Sequence, residues 1–151
     1  MDLRRAVATY RTAMMISVAL NILVGVFILL APYTYAHVLS QPDPVPATWP
    51  RHWGAQLIAI NLLYLPGFWD PVRNRYQNVL GILIRLSFAV FFFSQGNGFI
   101  TMGIYDLCFG LLLASTYWRV RRAAEAMEER HAAGAPQPAK AAAAGRVGAA
   151  A

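Results

Sequence analysis

Arg85 and Asp106 are the two residues of this sequence with the clearest potential for chemistry, because each stands inside an otherwise apolar stretch. A lone arginine or aspartate at the centre of a membrane helix costs about 2.5–3.5 kcal/mol, so such residues are rare and mark either a functional site or an ion pair. In the functional interpretation, the two residues form a proton or anion site. In the structural interpretation, they neutralise each other and fix the register of two helices. Both interpretations stay open.

Other polar and small residues surround this candidate pair. Three amides lie near mid-depth of two further apolar stretches: Asn21, Gln56 and Asn61. We predict that they complete an internal polar cluster, although each could serve only as an interhelical hydrogen bond. Gly103 and Gly110 lie three and four residues from Asp106 and share its helical face. Small residues on such a face let helices approach closely, so we expect both glycines to be helix-packing positions.

Patterns for other chemistry are weak or missing. His37, Asp43 and His52 belong to one proline-rich loop and its flanks, which is a poor pattern for a metal site. Cys108 is the single cysteine, which excludes a disulfide framework, and its apolar neighbours predict a buried, inert thiol. The fingerprints of hydrolases, metalloproteases and nucleotide-binding loops do not occur. We therefore predict no catalytic residue, no metal and no cofactor, and favour a protein that is not an enzyme.

The elements that must position these residues are membrane spans. The chain has 151 residues, of which 58% are hydrophobic and only 13% charged, and a mean hydropathy of +0.42. Soluble domains are about 25% charged, so the composition argues against an ordinary soluble fold. A bilayer crossing takes about 20 apolar residues of helix. Four stretches of roughly this length occur, of which the second is the shortest: 12–31, 53–69, 77–94 and 99–118.

The short turn SQGNG makes the third and fourth stretches antiparallel neighbours. With the turn centred near residues 96–97, Arg85 faces about position 108, and the axial offset to Asp106 is about 3 Å at 1.5 Å per residue. An arginine side chain easily covers that distance. We therefore predict that Arg85 and Asp106 meet.

Basic residues set the orientation. All of the 13 lysines and arginines except Arg51 and Arg85 lie before the first stretch, between the second and third, or after the fourth. By the positive-inside rule, both termini are then cytoplasmic. The same distribution explains the net charge of +6 without a nucleic-acid partner. The first stretch is longer than the apolar core of a signal peptide, about 7–15 residues, so we expect it to remain uncleaved.

The predicted fold is all-α, an integral membrane four-helix bundle with both termini cytoplasmic. Residues 1–118 form the four-span domain of a multi-pass protein of the cell inner membrane. Strong helix formers predict a cytoplasmic helical extension over 119–131. The Ala/Gly/Pro-rich segment 132–151 has no means of burying a core and is predicted to be disordered.

Several short motifs give a family resemblance. The first stretch closes on LLAP, the third contains LGILIRL and the fourth contains YDLCFGLLL. Over residues 12–118 this pattern resembles the DoxX-like small four-helix bacterial inner-membrane families. The matching positions are Pro32, Gly54, Arg85, Asp106 and Gly110. In such families the acid is commonly glutamate, whereas the aspartate here has a shorter reach.

The resemblance implies an accessory role, because some DoxX-type members are associated with quinone-linked oxidoreductases or with partners in oxidative stress defence. The leading hypothesis is an accessory or structural subunit of a larger membrane complex, for which a redox complex is one candidate. Its partners would be the lipid bilayer and either another membrane protein or further copies of itself. One alternative is a small transporter or channel with a polar path around Arg85 and Asp106. Another is a quinone-linked enzyme subunit.

Overall fold

The computed structural model describes residues 2–134, and within that range the chain forms helices and no strand. In chain order the helices are α1 (Leu3–Leu30), α2 (Pro32–Val38), α3 (Thr48–Leu63), α4 (Leu65–Trp69), α5 (Arg75–Ser94) and α6 (Ile100–Ala132), with a 3-10 turn at Asn97–Phe99 before α6. By length and composition, α1, α5 and α6 can each cross a membrane.

Local signals define the ends of α1. Asp2 lies at the N-cap, where its carboxylate accepts a hydrogen bond from the Arg4 N–H at 3.1 Å. Such a cap satisfies one of the free N–H groups at the start of a helix, and α1 accordingly begins well before the predicted residue 12. The helix ends at Leu30, and Pro32 begins α2 in the first-turn position that proline favours.

The second predicted span, 53–69, is divided into two helices. α3 ends at Leu63, and α4 begins at Leu65 with Pro66 in its first turn. Proline has no N–H to donate to the preceding turn, and its ring interrupts a continuing helix. The 16 residues of α3 fall short of the length of a full crossing, about 20 residues. Three helices, rather than the four predicted, are therefore long and apolar enough to cross a membrane among residues 2–134.

α1 is the central helix, because it packs against both α3 and α6, while α5 packs against α6 and α4. α1 and α6 run antiparallel: the ring of Tyr10 lies 5.3 Å from that of Tyr117, whereas Asn21 contacts Tyr105. An apolar core fills the space between the first half of α1 and the second half of α6. Its buried members are Ala6, Tyr10, Ala13, Met14, Leu113, Tyr117, Val120 and Ala123.

α6 continues without interruption through 119–131 and ends at Ala132. Val120, Ala123 and Ala124 are buried, so the start of the predicted extension packs against the protein. The predicted disordered tail 132–151 lies outside the described residues from 135 onward.

A pair of glycines brings α1 and α3 into backbone contact. A Cβ added at Gly54 would lie 2.7 Å from the carbonyl oxygen of Gly25 and 3.1 Å from the backbone nitrogen of Leu29. No real side chain tolerates such a distance to backbone atoms, so the close approach depends on glycine. Small residues have this role in membrane helix packing.

Polar and apolar residues are distributed in the reverse of the soluble pattern. The buried polar and charged residues are Ser17, Asn21, Asn61, Asn78, Arg85 and Thr116. Large apolar side chains are exposed along the three long helices, with exposed fractions of 64% for Leu23, 71% for Leu30 and 70% for Val90. Exposed apolar surface of this extent marks a lipid or protein interface. The arrangement is that of a membrane protein.

Candidate functional site

The short turn between α5 and α6 places Arg85 beside Asp106. The turn passes through Gly96, whose φ of 93° lies in the left-handed region that glycine adopts without strain. Nη1 of Arg85 donates a hydrogen bond to Oδ1 of Asp106 at 2.9 Å. The side chains are 6% and 14% exposed, respectively. The structure thus brings together the two ionisable residues that the hairpin geometry predicted to meet.

Arg85 also reaches the central helix. Its Nη2 donates to the hydroxyl oxygen of Ser17 on α1 at 2.7 Å. The guanidinium lies over the ring of Phe109 at 5.7 Å, within the range of a cation–π interaction. One side chain therefore links α1, α5 and α6. Sequence reasoning missed Ser17, although its position one turn before Asn21 on the same helical face was an available signal.

A second polar cluster joins α1, α3 and α6. The Asn21 amide donates to Oδ1 of Asn61 at 3.0 Å, and the Tyr105 hydroxyl donates to Oδ1 of Asn21 at 3.0 Å. The Asn61 amide in turn donates to the carbonyl of Leu57 at 2.7 Å. The structure thus brings Asn21 and Asn61 together and adds Tyr105, which the sequence analysis did not select. Aromatic residues are common in membrane helices, so nothing in the sequence distinguished Tyr105 as a hydrogen-bond partner of Asn21.

Gln56 does not belong to this cluster. Its side chain is exposed, and within residues 2–134 no hydrogen bond joins it to Asn21 or Asn61. The reason is helical geometry: Gln56 and Asn61 are five positions apart, about 140° around a helix with 3.6 residues per turn. Once Asn61 faces α1, Gln56 must point elsewhere.

The faces of α6 follow the same geometry. A Cβ at Gly103 would lie 2.7 Å from the ring of Phe93, and a Cβ at Gly110 would lie 2.8 Å from Cδ2 of Leu86. Both glycines therefore face α5, beside Asp106. Cys108 is exposed, which corrects the expectation of a buried thiol. It lies two positions from Gly110, about 200° around the helix, so it cannot share the packed face.

A cavity of about 190 Å³ lies on one side of the ion pair, between α1, α2, α3 and α6. Its walls are mainly apolar and aromatic, and its polar groups converge near Asp106. The lining residues are Asn21, Val24, Tyr35, Leu39, Trp53, Leu57, Thr101, Met102, Tyr105 and Asp106. Mostly apolar walls with a few placed polar groups are typical of small-molecule sites.

The aromatic rings at this end of the protein form a connected series. The ring of Tyr35 on α2 lies 6.2 Å from Trp53 on α3, which lies 6.3 Å from Phe92 on α5. Phe92 stacks on Phe99 at 6.2 Å. These ring contacts connect α2 to α3 and, through α3, to α5. The short α2 helix is therefore held beside the cavity.

A much smaller cavity, about 10 Å³, lies on the other side of the ion pair and is lined in part by Tyr10, Ser17, Asn78 and Arg85. Its volume corresponds to about one water molecule. The larger cavity is lined by Asp106 and the smaller one by Arg85. The ion pair therefore separates the two.

Asn78, in the wall of the smaller cavity, links three helices by hydrogen bonds. It accepts a hydrogen bond from the Tyr10 hydroxyl at 2.8 Å and donates to the carbonyls of Gly67 at 3.4 Å and Pro71 at 3.3 Å. Gly67 leaves room for this side chain, because an added Cβ would collide with it. Asn78 was not among the predicted site residues, because it lies at the edge of an apolar stretch, where a polar residue costs little free energy.

Residues 2–134 contain no group of three or more His, Cys, Asp or Glu side chains that could hold a metal ion. Comparison of the chain with protein-family models, with curated proteins and with solved structures gives no match. The geometry of the site is therefore the basis for the proposals that follow.

Proposed function

We propose that this chain is a multi-pass protein of the inner membrane with both termini in the cytoplasm, and that α1, α3 with α4, α5 and α6 form a four-helix bundle. The exposed apolar surface of α1, α5 and α6 supports this proposal. α3 and α4 together provide about the 20 residues that a crossing needs. Proline interruptions such as Pro66 are tolerated in membrane helices when neighbouring groups satisfy the freed backbone.

The function that we propose for this bundle is to bind a small, largely apolar molecule in the cavity beside Asp106. A single observation carries the proposal: a cavity of about 190 Å³ with apolar walls has its polar groups gathered at Asn21, Tyr105 and Asp106. The cavity is partly open to the surface of the bundle, so a molecule can reach it from outside, and apolar walls with a few polar groups are typical of small-molecule sites.

A cavity-filling variant tests this proposal. Leu57 lines the cavity, so Leu57→Trp should fill much of it, whereas Leu62→Trp places the same ring on the exposed face of α3. A small aryl diazirine, photoactivated in membranes that contain the full chain, should label the lining residues. We expect Leu57→Trp to abolish that labelling and Leu62→Trp to leave it unchanged, as read by peptide mass spectrometry. Equal labelling of the two variants would contradict a ligand site.

We further propose that the chain acts as a non-enzymatic accessory subunit of a larger membrane complex, which the resemblance to the DoxX-like families supports. Its exposed apolar helix faces offer surface to the lipid bilayer and to another membrane protein or a second copy. Purification in a mild detergent followed by mass spectrometry tests this. A stable heteromeric partner supports the accessory role, whereas a chain that elutes alone or only with itself contradicts it.

The second cavity favours transport as the alternative function. The two cavities lie on opposite sides of the Arg85–Asp106 pair, as the two halves of a path closed at its centre would. The inner half has room for about one water, which suits a proton better than a solute. Proton flux into liposomes that carry the chain, lost in Asp106→Asn, would support this alternative. Flux equal to that of empty liposomes would contradict it.

A further inference from the structure

The cavity beside Asp106 has the dimensions of one aromatic ring with a small substituent. A buried apolar cavity of about 150 Å³ accommodates benzene, and this cavity measures about 190 Å³. Three of its walls are the rings of Tyr35, Trp53 and Tyr105. Aromatic walls favour a flat ring, because ring pairs gain free energy beyond the area that they bury.

One strong hydrogen-bond acceptor at the inner end of the cavity, a carboxylate oxygen of Asp106, has no partner within residues 2–134. The Tyr105 proton is used on Asn21, the Asn21 amide donates to Asn61, and Arg85 donates to Oδ1 of Asp106. A carboxylate has about four acceptor positions. Within residues 2–134, Oδ2 of Asp106 takes part in no hydrogen bond. The group that a ligand presents to Asp106 must therefore donate a proton.

Charge restricts the ligand further. Asp106 is neutralised by Arg85 at 2.9 Å, so the inner end of the cavity carries no net charge. An anionic ligand would be repelled by the carboxylate, which lines this cavity, and a cationic ligand would add a charge to a pair that is already neutral. In surroundings of low dielectric constant, an uncompensated third charge would be strongly disfavoured. A neutral ligand avoids both penalties.

From these constraints we infer that the ligand of the cavity is a neutral, ring-sized hydrogen-bond donor of the phenol class, whose hydroxyl donates to Oδ2 of Asp106. This inference rests on the proposed function, since it specifies the occupant of the same cavity. Ring compounds without a hydrogen-bond donor should therefore bind less tightly than phenols. Amines that are cationic at neutral pH are excluded as ligands.

The test compares three probes of equal ring size on the full chain in lipid nanodiscs: para-fluorophenol, fluorobenzene and para-fluoroanisole. Fluorine NMR measures the affinity of each, and Leu57→Trp nanodiscs correct for partition into lipid. A hydrogen bond to a charged acceptor contributes about 1.5–3 kcal/mol, so fluorophenol should bind at least about tenfold more tightly than fluoroanisole. Asp106→Asn should reduce this preference by several-fold, while Leu62→Trp should keep it.

The outcomes separate the two proposals. If the phenol and the anisole bind with equal affinity and Leu57→Trp abolishes the binding of both, the proposed ligand class is overturned. The proposal of a ligand-binding cavity then still holds. Binding of all three probes that is the same in the unchanged chain and in Leu57→Trp would overturn both. If Asp106→Asn does not fold, the comparison of probes on the unchanged chain decides the ligand class without it.

Discussion

Arg85 concentrates the polar interactions of three helices in one side chain, through its contacts with Ser17 and Asp106. Such a buried pair need not stabilise the protein more than apolar residues of similar volume would. Removing one partner, however, leaves an uncompensated charge inside the protein. The pair therefore specifies which helix faces meet, because other arrangements would leave Arg85 or Asp106 without its partner.

A double-mutant cycle tests this coupling. Arg85→Leu or Asp106→Leu alone should lower the free energy of unfolding by about 3–5 kcal/mol, because each leaves one buried charge unpaired. The double variant should recover much of that loss. SDS titration in mixed micelles, followed by circular dichroism, measures each value. Losses that simply add in the double variant would show that the two residues act independently.

We expect Asn78 to contribute more to the free energy of unfolding than its position at the edge of an apolar stretch suggests. Asn78→Ala leaves the Tyr10 hydroxyl and two carbonyls without a partner in a site where Asn78 is only 2% exposed. We expect a loss of about 1–3 kcal/mol in the free energy of unfolding. Tyr10→Phe removes only one of these hydrogen bonds and should cost less, about 0.5–1.5 kcal/mol. The same SDS titration compares the two, and an equal or reversed order would refute the proposed role of Asn78.

The sequence predicted those site residues whose presence in an apolar stretch costs the most free energy. Arg85 and Asp106 stand out for that reason, and the short hairpin turn fixes their relative height. Ser17 and Tyr105 cost little in a membrane helix, so nothing in the sequence marks them as partners. The placement of Gln56 failed because composition shows that an amide is present but not toward which neighbour its helix face turns.

At the level of elements, the helix boundaries depend on different interactions. α5 begins and ends near the predicted positions, and α1 ends near its predicted position, because apolar length and flanking prolines or turns define them. α1 begins nine residues earlier than predicted, because its start is set by the Asp2 cap and not by apolar length. The division between α3 and α4 depends on Pro66, which was visible in the sequence, but whether a proline bends or ends a helix depends on the groups around it. The close contact of α1 with α3 requires a pairing of Gly25 with Gly54 that spacing within one helix does not reveal.

Two glycine substitutions test the packing. In Gly54→Ala the new methyl meets backbone atoms of Gly25 and Leu29, so α1 and α3 must separate, at a cost of about 1–3 kcal/mol. In Gly103→Ala the three atoms nearest to the new methyl all belong to the ring of Phe93, which is 42% exposed and free to turn away. The better helix propensity of alanine then offsets the strain, and we expect a change within about 1 kcal/mol. Thermal unfolding in detergent ranks the two, and equal losses would contradict a backbone contact at Gly54.

At the scale of the whole molecule, many large apolar side chains of the long helices face outward, whereas Asn21, Asn61 and Arg85 are buried. Three continuous helices of residues 2–134 are long and apolar enough to cross a membrane, while the remaining predicted stretch, 53–69, is divided between α3 and α4. Orientation follows from the distribution of basic residues and is a prediction about the membrane rather than about the fold.

Cysteine labelling tests the orientation. In a Cys108→Ser background, Asp43→Cys lies in the loop between α2 and α3, and Glu128→Cys lies near the end of α6; both positions are exposed. A membrane-impermeant maleimide added to intact cells should label position 43 and not position 128. After permeabilisation both should react. Labelling of position 128 in intact cells would reverse the proposed orientation.

The ion pair also has a consequence for biosynthesis. Asp106 follows Arg85 by 21 residues. At about 5–20 residues per second, the ribosome completes Asp106 roughly 1–4 s after Arg85. During that interval an arginine held in lipid would have the hydroxyl of Ser17 available but no carboxylate. Entry of α5 and α6 into the bilayer together, as one preassembled hairpin, costs less free energy than entry of α5 alone.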